Sequence, residues 1–387
     1  MNLGTFRSEF PVTRARSYLF SGGLAPAARP VVAAIEAWIR HWADDPRYHR
    51  SRYYDDLEEV RRLLALLIGC APDSVALMDS TSRASNAWLS AFVCPVGANV
   101  VVDSTTYPSS AYPWLLPQRH VELRRAANIS GTSEVNTNSI AELVDDETVA
   151  VSISHVSPDT GFKHNLRVIS EIAHAHGAIF AVDAAQSVGV EPVDVGKMGV
   201  DVLAGVSMKW LLGPPGISFL YVNPDLLGRL PPAEASYTSS VLDEHGRLQF
   251  KPGARRYEHG IGNLMGMAGL RAALSLLHDV GVDSIEKRVR ELTTHLLDAF
   301  TARQLPVLTP PDPAKRAGIV VLEAERAELL STFLHERKVD TWGYDSTRRV
   351  RIDPHGFNTI DDIDRLLQGL DEFVELYGEE AIHNGSR

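Results

Sequence analysis

Short apolar runs alternate with helix-like stretches through the middle of the chain, and this alternation constrains the fold more than any other feature. Apolar runs bounded by polar residues are typical of buried strands, and amphipathic stretches between them are typical of crossover helices. The predicted strands are 74–78, 99–103, 148–155, 178–183, 201–204 and 217–222. The predicted helices between them include 54–68, 84–93 and 167–176. The pattern predicts an α/β fold around a mostly parallel sheet.

Composition limits the classes of protein to which this chain can belong. Its 387 residues, 44% hydrophobic and 22% charged, are enough for one large globular domain and a smaller one. A formal net charge of −11 argues against nucleic-acid partners and anionic membrane surfaces. The two cysteines, Cys70 and Cys94, suggest no disulfide framework, and residues 1–11 lack the apolar core of a signal peptide. We therefore expect a cytoplasmic protein without a membrane span.

One carboxylate and one lysine are placed where a cofactor could use them. Asp183 directly follows the apolar run 178–182, and Lys209 stands between Met208 and Trp210, before a Gly/Pro-rich turn. A buried lysine loses its charge readily, and a neutral amine can form an imine. A carboxylate can hold a ring nitrogen protonated, which makes the ring an electron sink. Both residues also occur in purely structural roles, but together they are what pyridoxal phosphate chemistry requires.

The letters around this pair carry a family resemblance. Asp183-Ala-Ala-Gln186-Ser-Val-Gly189, then Asp201, then Lys209-Trp-Leu-x-Gly-Pro-x-Gly216 resemble the class V aminotransferase family of fold-type I pyridoxal phosphate enzymes. This family includes cysteine desulfurases, kynureninases and isopenicillin N epimerase-like proteins. The likeness runs from about Tyr18 to Asp364, which is nearly the whole chain.

The resemblance implies an architecture and an assembly. It implies a large domain at 26–263, with a mostly parallel sheet between helices, and a smaller α+β domain at 264–387. Residues 1–25 would pack with the small domain and line the substrate entrance, where Gly23 is a candidate substrate-binding residue. It also implies a homodimer with a shared active site.

The resemblance also assigns the cofactor ring. Lys209 would be the Schiff-base residue and proton shuttle, Asp183 would contact the pyridinium nitrogen, and Gln186 would bind the phenolic oxygen. Tyr107 stands where the family stacks a ring on the cofactor face, which a phenol can do. His155, in a His-Val-Ser element at a strand end, would contact the ring or the substrate.

A second group of residues would bind the cofactor phosphate. Free N–H groups and hydroxyls at a helix N-terminus favour an anion, and Ser80-Thr81-Ser82-Arg83 opens a predicted helix. Here the resemblance assigns Thr81 and Ser82, while Arg83 replaces the family's acidic residue. The remaining phosphate candidates are Ser207, Gly260 and Ile261, and Ile261 replaces a threonine that would act across the dimer interface.

The substrate side of the site differs from that of the desulfurases. Arg351 resembles the arginine that pairs with a substrate α-carboxylate, which a guanidinium binds bidentately. A desulfurase also needs a mobile nucleophilic cysteine before this arginine, and residues 339–345 contain none. Pro158 replaces an asparagine that contacts the substrate in desulfurases. The histidines form no metal-ligand spacing, so no metal site is expected.

These residues predict a pyridoxal phosphate enzyme acting at Cα or Cβ of an amino-acid-like substrate. The leading hypothesis is β-elimination from a cysteine conjugate by a C–S lyase. Transamination, epimerisation and decarboxylation stay open, and so does a catalytically inert binding protein with this fold. The aromatic and basic stretch 42–54 is either a specificity surface or a solvated helix connection.

Overall fold

A mixed sheet with helices on both faces forms the centre of the protein in this computed structural model. The structure describes residues 1–130, 132–260 and 262–382, without the side chains of 48–53. The strands are β1 (Ser17–Tyr18), β2 (Val75–Met78), β3 (Asn99–Asp103), β4 (Glu122–Ala126), β5 (Thr148–Ser154), β6 (Ile179–Asp183), β7 (Val202–Val206), β8 (Ser218–Val222), β9 (Ser240–Leu242), β10 (Leu248–Phe250), β11 (Val320–Glu323), β12 (Val339–Asp340), β13 (Trp342–Tyr344) and β14 (Arg349–Ile352). The helices are α1 (Leu3–Ser8), α2 (Arg29–Asp44), α3 (Pro46–Ile68), α4 (Thr81–Ala91), α5 (Pro108–Ala111), α6 (Thr137–Ala141), α7 (Leu166–Ala175), α8 (Val195–Met198), α9 (Leu264–Val280), α10 (Val282–Ala302), α11 (Ala327–Glu336) and α12 (Ile360–Tyr377).

Among the described residues, the central sheet has seven strands in the order β2-β8-β7-β6-β5-β3-β4. Its neighbouring strands are parallel except at β8, which is antiparallel to both β2 and β7. The register places Ser154 beside Asp183, and Asp183 beside Ala204. The carboxyl ends of β5, β6 and β7 therefore meet at one edge, where ligands bind in open α/β sheets.

Both faces of this sheet are buried. Along β6, Phe180 and Val182 belong to a hydrophobic cluster that also contains side chains of α2, α3, α7 and α9. Ile179 and Ala181 point the other way and pack in a second cluster that contains side chains of α4. This alternation with no polar face explains why β6 is apolar throughout its length until Asp183. The predicted fold class, a mostly parallel sheet sandwiched by helices, is confirmed.

A smaller antiparallel sheet, β11-β14-β13, packs with α10, α11 and α12 around its own hydrophobic cluster. The N-terminal segment joins this cluster, because β1 pairs in parallel with β12 and Leu19 is buried in it. Helix α9, although it follows residue 263, packs against α2 and α3 in the cluster of the large sheet. The predicted domain boundaries at 25 and 263 stay predictions.

The predicted strands of the central sheet agree with the structure to within two residues. The strands that the sequence did not predict are charged or short. Strand β4 reads Glu-Leu-Arg-Arg-Ala and lies at the edge of the sheet, so it lacks an apolar signature. Strand β14 reads Arg-Val-Arg-Ile and was also missed. In the part of the chain that the structure describes, no helix has both the length and the apolar character to cross a bilayer.

Candidate active site

Lys209 lies in the tight turn between β7 and β8, beyond the carboxyl end of the sheet. The turn is closed by hydrogen bonds from the Ser207 N–H to the Ile217 carbonyl (3.1 Å) and from the Leu212 N–H to the Lys209 carbonyl (3.0 Å). Gly189 packs against it so closely that a Cβ there would lie 2.4 Å from the Trp210 carbonyl oxygen. With φ at +103°, Gly189 is also in a conformation that favours glycine. The segment after Asp183 and the lysine turn are therefore fixed to each other.

The lysine is placed for amine chemistry. Burial lowers the pKa of Lys209, and the Arg351 cation acts in the same direction, whereas Asp183 and Asp353 oppose the shift. A lowered pKa increases the fraction of neutral amine, which is the nucleophilic form. The Lys209 Nζ lies 5.7 Å from the centroid of the Tyr107 ring.

Asp183 ends β6 with its side chain 5% exposed. One carboxylate oxygen accepts the Ala185 N–H at 2.9 Å, and the other accepts the Ser110 hydroxyl at 3.4 Å. Burial raises the pKa of Asp183, and the Lys209 cation partly offsets this shift. A buried carboxylate with so little compensation is stabilised by a further cation or N–H donor nearby.

Tyr107 presents its ring to the same space. Its backbone N–H donates to the Ser154 hydroxyl at the end of β5 (3.0 Å), which fixes the start of α5. The side chain is 45% exposed, unlike the buried residues around it. An open aromatic face beside a half-buried lysine is suited to stacking on a flat ligand.

Gln186 is held in place by two contacts. Its Oε1 accepts the Trp210 indole N–H at 2.8 Å, and its Nε2 donates to the Gly22 carbonyl at 3.1 Å. An amide nitrogen has two hydrogens, so one N–H of Gln186 stays available for a ligand. Sequence reasoning did not assign Trp210 or Gly22 to this arrangement.

His155 lies behind the site. Its N–H donates to the Asp183 carbonyl oxygen at 2.8 Å, and its side chain is buried with no hydrogen-bond partner for Nδ1 among the described residues. Burial lowers the pKa of His155 to about 3, with smaller contributions from the neighbouring Lys163 and His164. The imidazole is therefore neutral near pH 7, and a role for it in cofactor or substrate contact stays a prediction.

The N-terminus of α4 is arranged as a cap. Ser80 accepts the Arg83 N–H at 3.1 Å, and the Ser82 hydroxyl bonds to Ser109 at 2.8 Å. The first turn of a helix leaves N–H groups without intrahelical partners, so Thr81 and Ser82 offer donors for an anion. Arg83 turns away to the Glu234 carboxylate at 2.6 Å.

Two further phosphate candidates have different surroundings. The Ser207 hydroxyl contacts the carbonyl oxygens of Pro214 and Ile217, so its hydrogen is used within the turn. The Gly260 N–H donates to Thr238 Oγ1 at 2.9 Å, and Gly260 lines a cavity of about 360 Å³ with Arg83. Ile261 lies outside the described residues. The assignment of this group to a phosphate stays a prediction.

Arg351 reaches the site from β14 of the smaller sheet. Its Nη2 donates to Asp353 Oδ2 at 2.7 Å, and its guanidinium carbon lies 5.6 Å from the centroid of the Phe20 ring. Phe20 in turn stacks on Trp342, and Gly23 is confined because a Cβ there would lie 2.0 Å from the Phe20 ring. Asp353 was missed by sequence reasoning, although an acid two residues from an arginine in a strand shares its face.

Neither cysteine resembles a nucleophile. Both are half-buried, and burial raises the pKa of Cys70 to about 12 and that of Cys94 above its usual range. Cys70 follows α3 and Cys94 follows α4, away from the carboxyl edge of the sheet. The segment before Arg351, which would carry a desulfurase cysteine, forms β12 and β13 with Trp342 at the site. Within residues 1–130, 132–260 and 262–382, no group of three acidic, histidine or cysteine side chains could hold a metal.

The aromatic and basic stretch 42–54 covers the end of α2 and the start of α3. The side chains of residues 48–53 lie outside the description. Tyr54 lines the same cavity as Gly260. A specificity role for this stretch stays a prediction.

Comparison with known proteins identifies relatives over nearly the whole chain. The family model described as aminotransferase class-V matches residues 17–342. An uncharacterized aminotransferase, YcbU, of Bacillus subtilis is 28% identical over 368 residues, which cover 94% of this chain and 96% of the relative. A probable cysteine desulfurase of Methanothermobacter thermautotrophicus is 32% identical over 397 residues, covering 95% and 97%.

Solved structures share the fold at lower identity. The cystine C–S lyase C-DES, in complex with its reaction product cysteine persulfide, superimposes with a TM-score of 0.86. It is 21% identical, and the match covers 93% of this chain and 98% of that one.

Proposed function

Because this chain belongs to the class V aminotransferase family, a family of pyridoxal 5′-phosphate enzymes, we propose that it is a C–S lyase acting on cysteine conjugates. The observation that carries the proposal is a lysine placed between an aromatic face and a buried carboxylate, with no thiol beside the substrate arginine. A lyase needs only a leaving group on Cβ, whereas a desulfurase needs a nucleophilic cysteine. The similarity to the cystine C–S lyase supports the same choice.

The residues at the sheet edge fit the cofactor. The carboxylate of Asp183 is buried, and Lys209 offsets only part of the cost of its burial, so it favours a protonated ring nitrogen beside it. The exposed ring of Tyr107 offers a stacking face, and Gln186 keeps one N–H for an oxygen acceptor. The first turn of α4 offers N–H donors to a phosphate. Bound there, the cofactor supplies an electron sink for the pair left at the substrate Cα.

The protein's own groups then decide the reaction. Arg351 orients the substrate head group, which sets the bond at Cα that is cleaved. The neutral amine of Lys209, favoured by its lowered pKa, takes the proton from Cα. The S–Cβ bond then breaks and its electron pair leaves with sulfur as a thiol after protonation. With water, the products are a thiol, pyruvate and ammonium.

Two further predictions belong with this proposal. A homodimer is favoured by the cavity beside Gly260, at the position where the family shares a site between chains. A cytoplasmic location is favoured by the acidic composition and by the two cysteines with no bond between them.

The proposal is tested with purified protein and added pyridoxal phosphate. We expect an absorbance band of bound cofactor that is absent in Lys209→Ala and present in Lys197→Ala, a control lysine that is 83% exposed. L-cystine and S-benzyl-L-cysteine are then supplied, and pyruvate is measured together with the persulfide formed from L-cystine and the thiol formed from S-benzyl-L-cysteine. Equal amounts of pyruvate and of the sulfur product, for each substrate, support the lyase.

The other outcomes select the alternatives. A keto acid formed with one equivalent of aminated cofactor would make the protein an aminotransferase. A D-amino acid would indicate an epimerase, and carbon dioxide a decarboxylase. A cofactor band that no amino acid changes would leave an inert binding protein.

A further inference from the structure

The substrate arginine is already engaged by a carboxylate of this chain. Arg351, on β14, has its Nη2 at 2.7 Å from Asp353 Oδ2, with side-chain exposures of 14% and 0%. Each partner still has one buried atom without a hydrogen bond among the described residues, Arg351 Nε and Asp353 Oδ1. Buried polar atoms are almost always paired, so an unpaired donor and an unpaired acceptor in the two partners of one ion pair point to a ligand site.

The backbone of Asp353 is held at both of its polar groups. Its N–H donates to the Leu19 carbonyl at 2.6 Å, and its carbonyl accepts the Ser21 N–H at 3.2 Å. Gly22 covers the ion pair, and a Cβ there would lie 2.7 Å from both Arg351 Nη2 and Asp353 Oδ2. The position of the Asp353 backbone is therefore fixed, and Gly22 leaves little space above its carboxylate.

The charges around Asp353 come from three parts of the chain. The Arg351 cation lies two residues before it, the basic side chain of Lys209 comes from the β7–β8 turn, and the Gly22 N–H faces it from the N-terminal segment. The charge of Asp353 also contributes to the raised pKa of Tyr18 on β1. Burial raises the pKa of Asp353, whereas Arg351 and Lys209 lower it. A proton on this carboxyl is therefore more accessible than on an exposed aspartate.

A substrate carboxylate thus meets a neutral pair and not a free cation. Two ionised carboxylates on one guanidinium in a buried site repel each other strongly. A proton on Asp353 Oδ1 removes this repulsion and turns the unpaired acceptor into a donor. The substrate carboxylate then has two unused donors, Arg351 Nε–H and Asp353 Oδ1–H.

We propose that Asp353 is a specificity-determining residue, so that a substrate carboxylate binds Arg351 only together with one proton taken up by Asp353. A neutral head group such as a carboxamide binds without this proton. The inference rests on the proposed function, because it requires Arg351 to face the substrate head group.

The test counts protons during ligand binding. Protein loaded with pyridoxal phosphate is titrated calorimetrically with L-alanine and with L-alaninamide, in two buffers of different ionisation enthalpy at pH 7.5. The same titrations on Asp353→Asn cancel the protons exchanged by the ligand's amino group. Asp159→Asn is the matched control, because Asp159 lies 3.6 Å from Arg349 of the same strand but is 63% exposed.

We expect the wild-type protein to take up about one proton more than Asp353→Asn when it binds L-alanine. With L-alaninamide, the two proteins should take up the same number of protons. Above the Asp353 pKa, the wild-type Kd for L-alanine should rise about tenfold per pH unit relative to Asp353→Asn. Asp159→Asn should match the wild type. If Asp353→Asn does not fold, Asp353→Ser replaces it. The proton uptake of the wild type with L-alanine is then also compared with its uptake with L-alaninamide, after subtraction of the protons exchanged by the two amino groups.

Equal proton uptake by wild type and variant with L-alanine would overturn the role of Asp353 and leave the proposed function standing. Absorbance of the bound cofactor that changes with neither ligand would overturn both. The two failures are therefore distinguished by the spectrum.

Discussion

A methyl group added at Gly22 should weaken substrate binding and also destabilise the fold. The Cβ of Gly22→Ala would lie 2.7 Å from Arg351 Nη2, 2.7 Å from Asp353 Oδ2 and 3.0 Å from Gln186 Oε1. Carbon and a polar atom normally stay well beyond 3 Å apart, so at least one of these groups must move. Asp353 is fixed by its backbone hydrogen bonds and Gln186 by Trp210, so the end of Arg351 moves.

The size of the effect follows from these contacts. Overpacking of a well-ordered site costs about 1–3 kcal/mol of folding free energy. A displaced guanidinium would also lose a charged hydrogen bond to the substrate carboxylate, worth about 1.5–3 kcal/mol. Since about 1.4 kcal/mol corresponds to tenfold in affinity, we expect substrate Kd to rise by about 10- to 100-fold.

The assay separates binding from folding. Amino-acid Kd is measured from the absorbance of bound cofactor, and stability from the midpoint of urea unfolding. Gly228→Ala is the control, because a Cβ at that exposed glycine meets no atom within 4 Å. Gly22→Ala should keep its cofactor band, because Gln186, the cofactor-binding candidate nearest to the methyl group, is held by Trp210.

The outcome that refutes this reasoning is specific. If Gly22→Ala has the Kd and unfolding midpoint of Gly228→Ala, then Gly22 does not confine the arginine. If the cofactor band is lost together with substrate binding, the N-terminal segment supports the cofactor and not the substrate head group.

Three further predictions concern the charges and thiols of the protein. Asp183→Asn should lower kcat by about 100-fold with cofactor still bound, because a neutral amide stabilises a ring cation poorly; steady-state kinetics check this. Burial lowers the pKa of His355 to about 4, so as the pH falls this histidine is protonated in the unfolded chain before it is protonated in the folded protein. The stability that His355 contributes is complete above about pH 6.5, and about 3 kcal/mol of it is lost as the pH falls to 4. Urea unfolding of wild type and of His355→Gln at pH 6.5 and at pH 4 measures this loss. Replacing Cys70 and Cys94 by serine should change kcat/KM less than about twofold, because neither thiol takes part.

Each of these has a contradicting result. Unchanged kcat in Asp183→Asn would remove Asp183 from the cofactor site. An acid-induced loss of stability equal in His355→Gln and in wild type would mean that His355 does not set it, and His245→Gln, an exposed histidine, controls for charge alone. Loss of activity in the cysteine double variant would restore a thiol mechanism.

Local sequence predicted the parts of this fold that are apolar and continuous. Strand β6 is buried on both faces, so every residue before Asp183 had to be apolar, and such a run is legible by itself. The turn around Lys209 was legible for a similar reason, because its glycines and prolines stand at fixed positions. The lysine and the aspartate of the site were therefore predicted together with their strands.

Elements at the sheet edge and on the surface could not be predicted from the sequence in the same way. Strand β4 carries charges along its length and pairs on one side only, so its composition resembles that of a loop. Helix α2 exposes most of its residues, including Trp42, and was also missed.

By itself, the sequence determined which residues can do chemistry at the ends of the parallel strands, because strand ends that carry Asp183 and precede Lys209 must meet at one sheet edge. The tertiary structure decided what surrounds them. Gly22, Arg351 and Asp353 come from opposite ends of the chain and meet because β1 pairs with β12 and Phe20 bridges to Asp353. Such pairing depends on backbone hydrogen bonds between distant segments, which leave no periodic pattern in either segment. The charge that a substrate meets at Arg351 is therefore a property of the fold.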